Sequence, residues 1–169
     1  MIKIFFTGEE IEEAREHQRK MRGAKEGLPN QHIAIKDNDI IGRLGERAYK
    51  KYLDYIDKEH TWTKCNYERY YGDNGDFIID GVVIDVKGTK TYDMPVSKRF
   101  QVENMLNDGV IKVIVGVYVN WDLSYAVLQG KWYLNDFEFY KTDDEYKKDL
   151  FYCSPENIKY VYSEDIIIN

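Results

Sequence analysis

Apolar residues fill nearly every position from Val110 to Val119, bounded by Gly109 and Asn120. A run that is β-branched and has no polar face predicts a central strand buried on both sides. Leu123 to Leu128 predicts a strand beside it, joined through a turn at Asn120-Trp121-Asp122. Between Asp39 and Asp57 the period changes: Ile41, Leu44, Ala48, Tyr52 and Ile56 recur near helical spacing and define a face for burial. Gly42 and Gly45 leave room on that helix for another backbone to approach. At 100° per residue, Glu46 falls at the edge of the apolar face, beside Leu53, whereas Arg47, Lys51 and Asp54 point to the middle of the polar side.

The remaining pattern is coarser. Ile2 to Phe6 predicts a short strand, and Thr7-Gly8-Glu9-Glu10 has the capping-box spacing that opens a helix. That helix runs to about Arg22, with acids early and bases late as the helix dipole favours, and its few apolar positions predict a surface location. Gly23 to Asp37 reads as loop, with Gly27, Pro29 and Asn30 as breakers. His60 to Tyr71 is β-prone and leads through a Gly72–Gly75 turn. Pro95 suits the first turn of a helix ending near Gly109. Phe137 to Tyr152 is mixed and resists assignment; Ser154-Pro155-Glu156 has helix-start character, and Ile158 to Tyr162 predicts a last strand.

The most informative stretch runs from Tyr71 to Tyr92. Phe77-Ile78-Ile79 and Val82-Val83-Ile84 flank Asp80-Gly81, the dipeptide preferred by a two-residue type I′ hairpin turn. Counting outward sets Ile79 against Val82, Ile78 against Val83, Phe77 against Ile84 and Asp76 against Asp85. Like charges so placed are destabilising. Lys87, two residues past Asp85, shares its face. Such a pair of acids is best tolerated when a hard divalent cation bridges it.

Composition narrows the options. The 169 residues are 43% hydrophobic and 32% charged, an ordinary globular balance with length enough for one sizeable core. The sequence contains neither a stretch of transmembrane length nor a recognisable signal peptide. Cys65 and Cys153 are far apart with no partner at ligand spacing, which predicts reduced thiols and a cytoplasmic location. His17, His32 and His60 are scattered, so a histidine-based metal site has little support. The net charge of −6 counts against a nucleic-acid partner, and binding to one would rest on local clusters: Arg19-Lys20-Met21-Arg22 with Lys25, Lys87 with Lys90, and Lys98-Arg99. Tyrosine-rich aromatic content offers stacking surfaces, although core and strand packing explains it more simply.

Asp76, eight intervening residues and then Asp85-Val86-Lys87 resembles the D…(D/E)-x-K signature of the PD-(D/E)XK, or restriction-endonuclease-like, nuclease superfamily. Gly75 stands where that motif usually carries proline. Gly42-Arg43-Leu44-Gly45-Glu46-Arg47 resembles the helix opening of Holliday-junction resolvases and some restriction-type enzymes. Gly130-Lys131-Trp132-Tyr133-Leu134 resembles a segment that follows the last core strand in phage and restriction-type members. The resemblance implies a single α/β domain with a central mixed β-sheet flanked by helices, built on an αβββαβ core. Residues 1–37 would be a helical extension, 38–130 the catalytic core and 131–169 an elaboration.

The resemblance also implies a metal-dependent deoxyribonuclease hydrolysing DNA phosphodiester bonds. Asp76, Asp85 and the Val86 carbonyl would hold Mg²⁺ or Mn²⁺, Glu46 would complete a second site or orient a water, and Lys87 would serve the attacking water. Gln101 is similar in placement to the glutamine that follows the motif in RecB-like members, although a solvent-facing glutamine explains it equally well. DNA is the implied partner, a homodimer is the usual resolvase assembly, and no membrane partner is implied. Two alternatives remain: a non-catalytic DNA- or protein-binding module on the same fold, and an unrelated α/β protein whose Asp76, Asp85 and Lys87 form a surface ion cluster.

Overall fold

The computed structural model describes residues 1–25, 38–63, 75–91, 96–139, 150–153 and 165–169. The elements in chain order are β1 (Ile2–Phe5), α1 (Gly8–Lys25), α2 (Asn38–Tyr55), β2 (Thr61–Trp62), β3 (Phe77–Ile79), β4 (Val82–Thr89), β5 (Val96–Lys98), α3 (Arg99–Asp108), β6 (Ile111–Val119), β7 (Tyr125–Tyr133), β8 (Phe137–Phe139), β9 (Leu150–Cys153) and β10 (Ile166–Ile168). A seven-stranded mixed sheet has the order β10-β1-β7-β6-β4-β3-β2, and a three-stranded sheet has the order β5-β9-β8. The fold is therefore α/β around a central mixed sheet, the class that the resemblance implies. Helix α2, strands β2, β3 and β4, helix α3 and strand β6 follow one another in the expected order, with the short β5 inserted before α3.

The apolar run forms β6 near the centre of the main sheet, parallel to β4 and antiparallel to β7. Its two faces feed two cores. Val115, Val117 and Val119 pack with the buried face of α2, while Ile111 and Ile114 pack with Val102, Met105 and Trp132. On α2, Leu44, Ala48, Tyr49 and Leu53 are buried; burying a leucine fully contributes about 1.5–3 kcal/mol. The helix comes close to β4 at two glycines. A Cβ on Gly45 would lie 3.1 Å from the Gly88 Cα, and one on Gly88 would lie 2.4 Å from the Ile41 carbonyl oxygen. No side chain fits at Gly88 without moving α2 off the strand.

Helix α1 opens with a complete capping box: the Thr7 N–H donates to a Glu10 carboxylate oxygen at 2.9 Å, and the Glu10 N–H donates to Thr7 Oγ1 at 3.2 Å. Glu10 also pairs with Lys51 of α2 at 3.2 Å, and Lys51 donates to the Phe5 carbonyl at 2.9 Å. Arg47 pairs with Glu13. Arg47 and Lys51 therefore do not face open solvent as helical angles alone suggest, because α1 covers that side of α2 and supplies carboxylates for both. Ile56 is 43% exposed and outside the buried face, since α2 ends at Tyr55.

Other boundaries also shift. Gly23 belongs to α1, which extends to Lys25 rather than ending at Arg22. Helix α3 begins at Arg99, after β5, and ends at Gly109, whose φ of 63° and N–H donation to the Met105 carbonyl form the expected glycine stop. Residues 130–133 lie inside β7, paired with β6, rather than after the strand. Strands β8 and β9 occupy parts of the segment that resists assignment, and β10 appears where no strand is predicted. Strand β1, from the segment read as an extension, sits inside the main sheet between β7 and β10. Cys65, Pro95, residues 154–156 and the strand predicted at 158–162 lie outside the described residues, as do most of the 23–37 loop and the second half of the 60–71 strand. Among the described residues no helix is long and apolar enough to cross a membrane.

Candidate active site

Strands β3 and β4 form the hairpin in the register that the turn dictates: Phe77 pairs with Ile84, Ile78 with Val83 and Ile79 with Val82. Asp80 and Gly81 take φ values of 50° and 76°, the two positive values a type I′ turn needs. Ile84 and Val86 pack into the α2-side core, so alternation along β4 sends Asp85 and Lys87 to the opposite face. Asp85 is only 2% exposed, and the Lys87 ammonium stands 2.8 Å from its Oδ2.

Asp76 lies just before β3, where the ladder becomes irregular. Its N–H donates to the Ile84 carbonyl at 2.8 Å, and its carboxylate accepts the Val86 N–H at 2.7 Å, so the side chain takes over a hydrogen bond that the backbone would otherwise make. The residue before it explains the missing proline. Gly75 has a φ of 79°, which proline's ring forbids, and a Cβ there would lie 2.3 Å from the Val83 side chain.

Glu46 occupies the rim of α2, as its helical angle predicts. Its Oε2 accepts from Arg43 at 2.6 Å and from the Trp62 indole N–H at 3.1 Å. The Arg43 guanidinium also lies 4.1 Å from the Trp62 ring centre, and Trp62 stacks on Phe77 with their planes 4° apart. A Glu on one helix is thereby fixed by a Trp from an edge strand. Arg43, three residues upstream, was legible as a helical neighbour of Glu46. Trp62 was not, because only the closing of β2 onto β3 brings it there.

The three carboxylates act on one another. Burial pushes the Asp76 carboxyl well above the usual carboxylate range, and the negative charges of Glu46 and then Asp85 push it further, against the Val86 N–H and the Lys87 charge. Glu46, Asp76, Asp85 and Lys87 thus share one electrostatic neighbourhood. Gln101 does not join them by any contact among the described residues: it is half-buried on α3, which packs against β5, β6 and β9.

Hard carboxylate oxygens, together with the Val86 carbonyl, are the donor chemistry that Mg²⁺ and Mn²⁺ take, and a cation would relieve the repulsion concentrated at Asp76. In the present rotamers, no group of three or more His, Cys, Asp or Glu side chains among the described residues is arranged to hold a metal ion. No protein-family model matches the chain, and no curated protein or solved structure is significantly similar to it.

Proposed function

We propose that the protein is a metal-dependent deoxyribonuclease of the PD-(D/E)XK kind. The observation that carries this reading is the buried acid cluster on the hairpin: Asp85, 2% exposed and 2.8 Å from the Lys87 ammonium, beside an Asp76 carboxyl that burial first, and then the charges of Glu46 and Asp85, hold above its usual range. A carboxyl shifted by burial and by specific neighbouring charges marks a candidate working site. Asp76, Asp85 and the Val86 carbonyl would hold Mg²⁺ or Mn²⁺, with Asp85 turning away from Lys87 to do so, and Glu46 would complete the carboxylate set. When bound, such an ion acidifies water and neutralises charge on a phosphoryl group.

The chain's own groups supply the rest. Lys87, released from Asp85, would present its ammonium to the scissile phosphate and to the charge that develops on its oxygens. Arg43 and the Trp62 indole hold Glu46 in one orientation. The Val86 N–H does the same for Asp76. Three carboxylates beside one lysine suit phosphodiester hydrolysis, and the substrate is DNA on the strength of the motif.

The test is cleavage of labelled linear duplex, circular duplex, single-stranded and four-way-junction DNA with Mg²⁺ or Mn²⁺. Wild-type protein is expected to cut in a metal-dependent way, while Asp85→Ala and Lys87→Ala lose at least a hundredfold in rate, the scale on which single electrostatic groups act. The reading of a non-catalytic module on this fold draws on the lack of a preset three-ligand group among the described residues. It prevails if no substrate is cut and neither ion raises the melting temperature.

A further inference from the structure

Strand β2 is two residues long and lies at the edge of the main sheet. Consecutive residues there nevertheless touch two acids of the site. The Trp62 indole N–H donates to Glu46 Oε2 at 3.1 Å, and the Thr63 N–H donates to the Asp76 carbonyl at 2.8 Å. Glu46 belongs to α2 and Asp76 to the approach to β3, so one step along the chain joins helix to hairpin. The indole is itself firmly held. Its ring lies parallel to that of Phe77, with 5.9 Å between centres, and Phe77 is fully buried next to Asp76 in the sequence. The guanidiniums of Arg43 and Arg47 lie 4.1 Å and 5.2 Å from the ring centre. Trp62 also pairs with Phe77 along the backbone, and Thr61 with Ile78.

Packing does not account for the choice of tryptophan. Stacking on Phe77 needs a flat ring and the two guanidiniums need a π face, and phenylalanine offers both. Among the described residues, the bond to Glu46 is the contact that uses the indole N–H, a donor phenylalanine lacks. Arg43 donates to the same Glu46 oxygen at 2.6 Å, but it sits three residues away on the same helix, so it fixes Glu46 relative to α2. Trp62 fixes it relative to the hairpin that carries Asp76 and Asp85. We propose that Trp62 is a positioning residue: β2 straps Glu46 to the hairpin, and the indole N–H sets the orientation in which the Glu46 carboxylate meets a divalent ion. The part played toward the ion rests on the nuclease reading. Carboxylates that ligate metals are aligned by hydrogen bonds from outside the coordination shell, and loss of such a partner weakens ion binding or activity roughly ten- to a hundredfold.

Mg²⁺ and Mn²⁺ affinity is measured by calorimetry, alongside DNA cleavage, in wild-type protein, Trp62→Phe, Glu46→Ala and the double variant. Amide and indole N–H spectra are recorded without metal, with the signals of the three tryptophans assigned. Trp62→Phe is expected to keep the wild-type far-ultraviolet spectrum while its ion affinity falls roughly ten- to a hundredfold, and a higher ion concentration is expected to restore part of the cutting. The double variant is expected to bind the ion no more weakly than Glu46→Ala alone, because Trp62 acts through Glu46. In the metal-free protein the Trp62 indole signal is expected to move in Glu46→Ala while those of Trp121 and Trp132 stay in place. Wild-type ion affinity and cutting in Trp62→Phe overturn the proposal, as do losses that multiply in the double variant. A Trp62 indole signal indifferent to Glu46→Ala also overturns it, and this readout stands even where Trp62→Phe fails to fold. Wild-type protein that neither binds the ions nor cuts removes the nuclease reading and the part played toward the ion; the indole signal then decides whether the strap itself stands.

Discussion

Asp76 is the residue on which the site turns. Because its folded carboxyl holds a proton more tightly than it does in the unfolded chain, the folded state binds more protons as pH climbs from the ordinary carboxylate range into the raised one. Stability therefore falls with rising pH across that window, the opposite of the usual salt-bridged aspartate. Asp76→Asn keeps an oxygen for the Val86 N–H and removes the charge. In metal-free buffer at neutral pH the variant is expected to melt higher than wild type, with the difference vanishing below the ordinary carboxylate range. A thermal melt series across pH checks it, and a variant that melts lower at neutral pH contradicts the electrostatic account. Gly75 is the companion residue: its positive φ and the crowding by Val83 bring the chain into Asp76 along a path open only to glycine.

At the scale of elements, the pairing of α2 with β4 decides whether Glu46 can feel Asp76 at all. The close approach at Gly45 and Gly88 holds the helix against the strand that carries Asp85 and Lys87. Gly88→Ala drives a methyl group into the Ile41 carbonyl, and the expected cost is about 1–3 kcal/mol of stability from overpacking, read as a lower urea midpoint. The same variant is expected to lose activity beyond its loss of stability, because the helix displaced is the one that bears Glu46. Helix α1 sets the other side of α2. Glu10 serves both the capping box and Lys51, so one residue orders the start of α1 and its contact with α2. Thr7→Ala is expected to cost about 1 kcal/mol, typical of a lost helix cap, with no effect on metal response.

For the whole molecule, an excess of acid is a feature that cations and a polyanionic partner would both change. Addition of Mg²⁺ at a hundred times its dissociation constant is expected to stabilise the protein by about 2.7 kcal/mol through mass action. The matching measurement is a thermal or urea melt with and without the ion. Asp85→Ala is expected to abolish the increment, and an equal increment in that variant would place the ion elsewhere.

Much of this was legible in the sequence because it is set by neighbours along the chain. The Asp80-Gly81 turn decides the hairpin register by local backbone geometry. Alternation puts Asp85 and Lys87 on one face, the Thr7–Glu10 spacing opens α1, and the unbroken apolar run of β6 demands burial on both sides. Helical angles placed Glu46 at the rim of α2 but could not say what lies over that rim. The tertiary structure decided this. It brought Trp62 onto Glu46, turned Arg47 and Lys51 toward α1, and inserted β1 between β7 and β10. Those pairings join residues from 16 to more than 100 positions apart, and their energy lies in contacts that exist only after the intervening chain has closed. Periodicity records which face of an element is apolar; it carries no record of which distant element will cover that face.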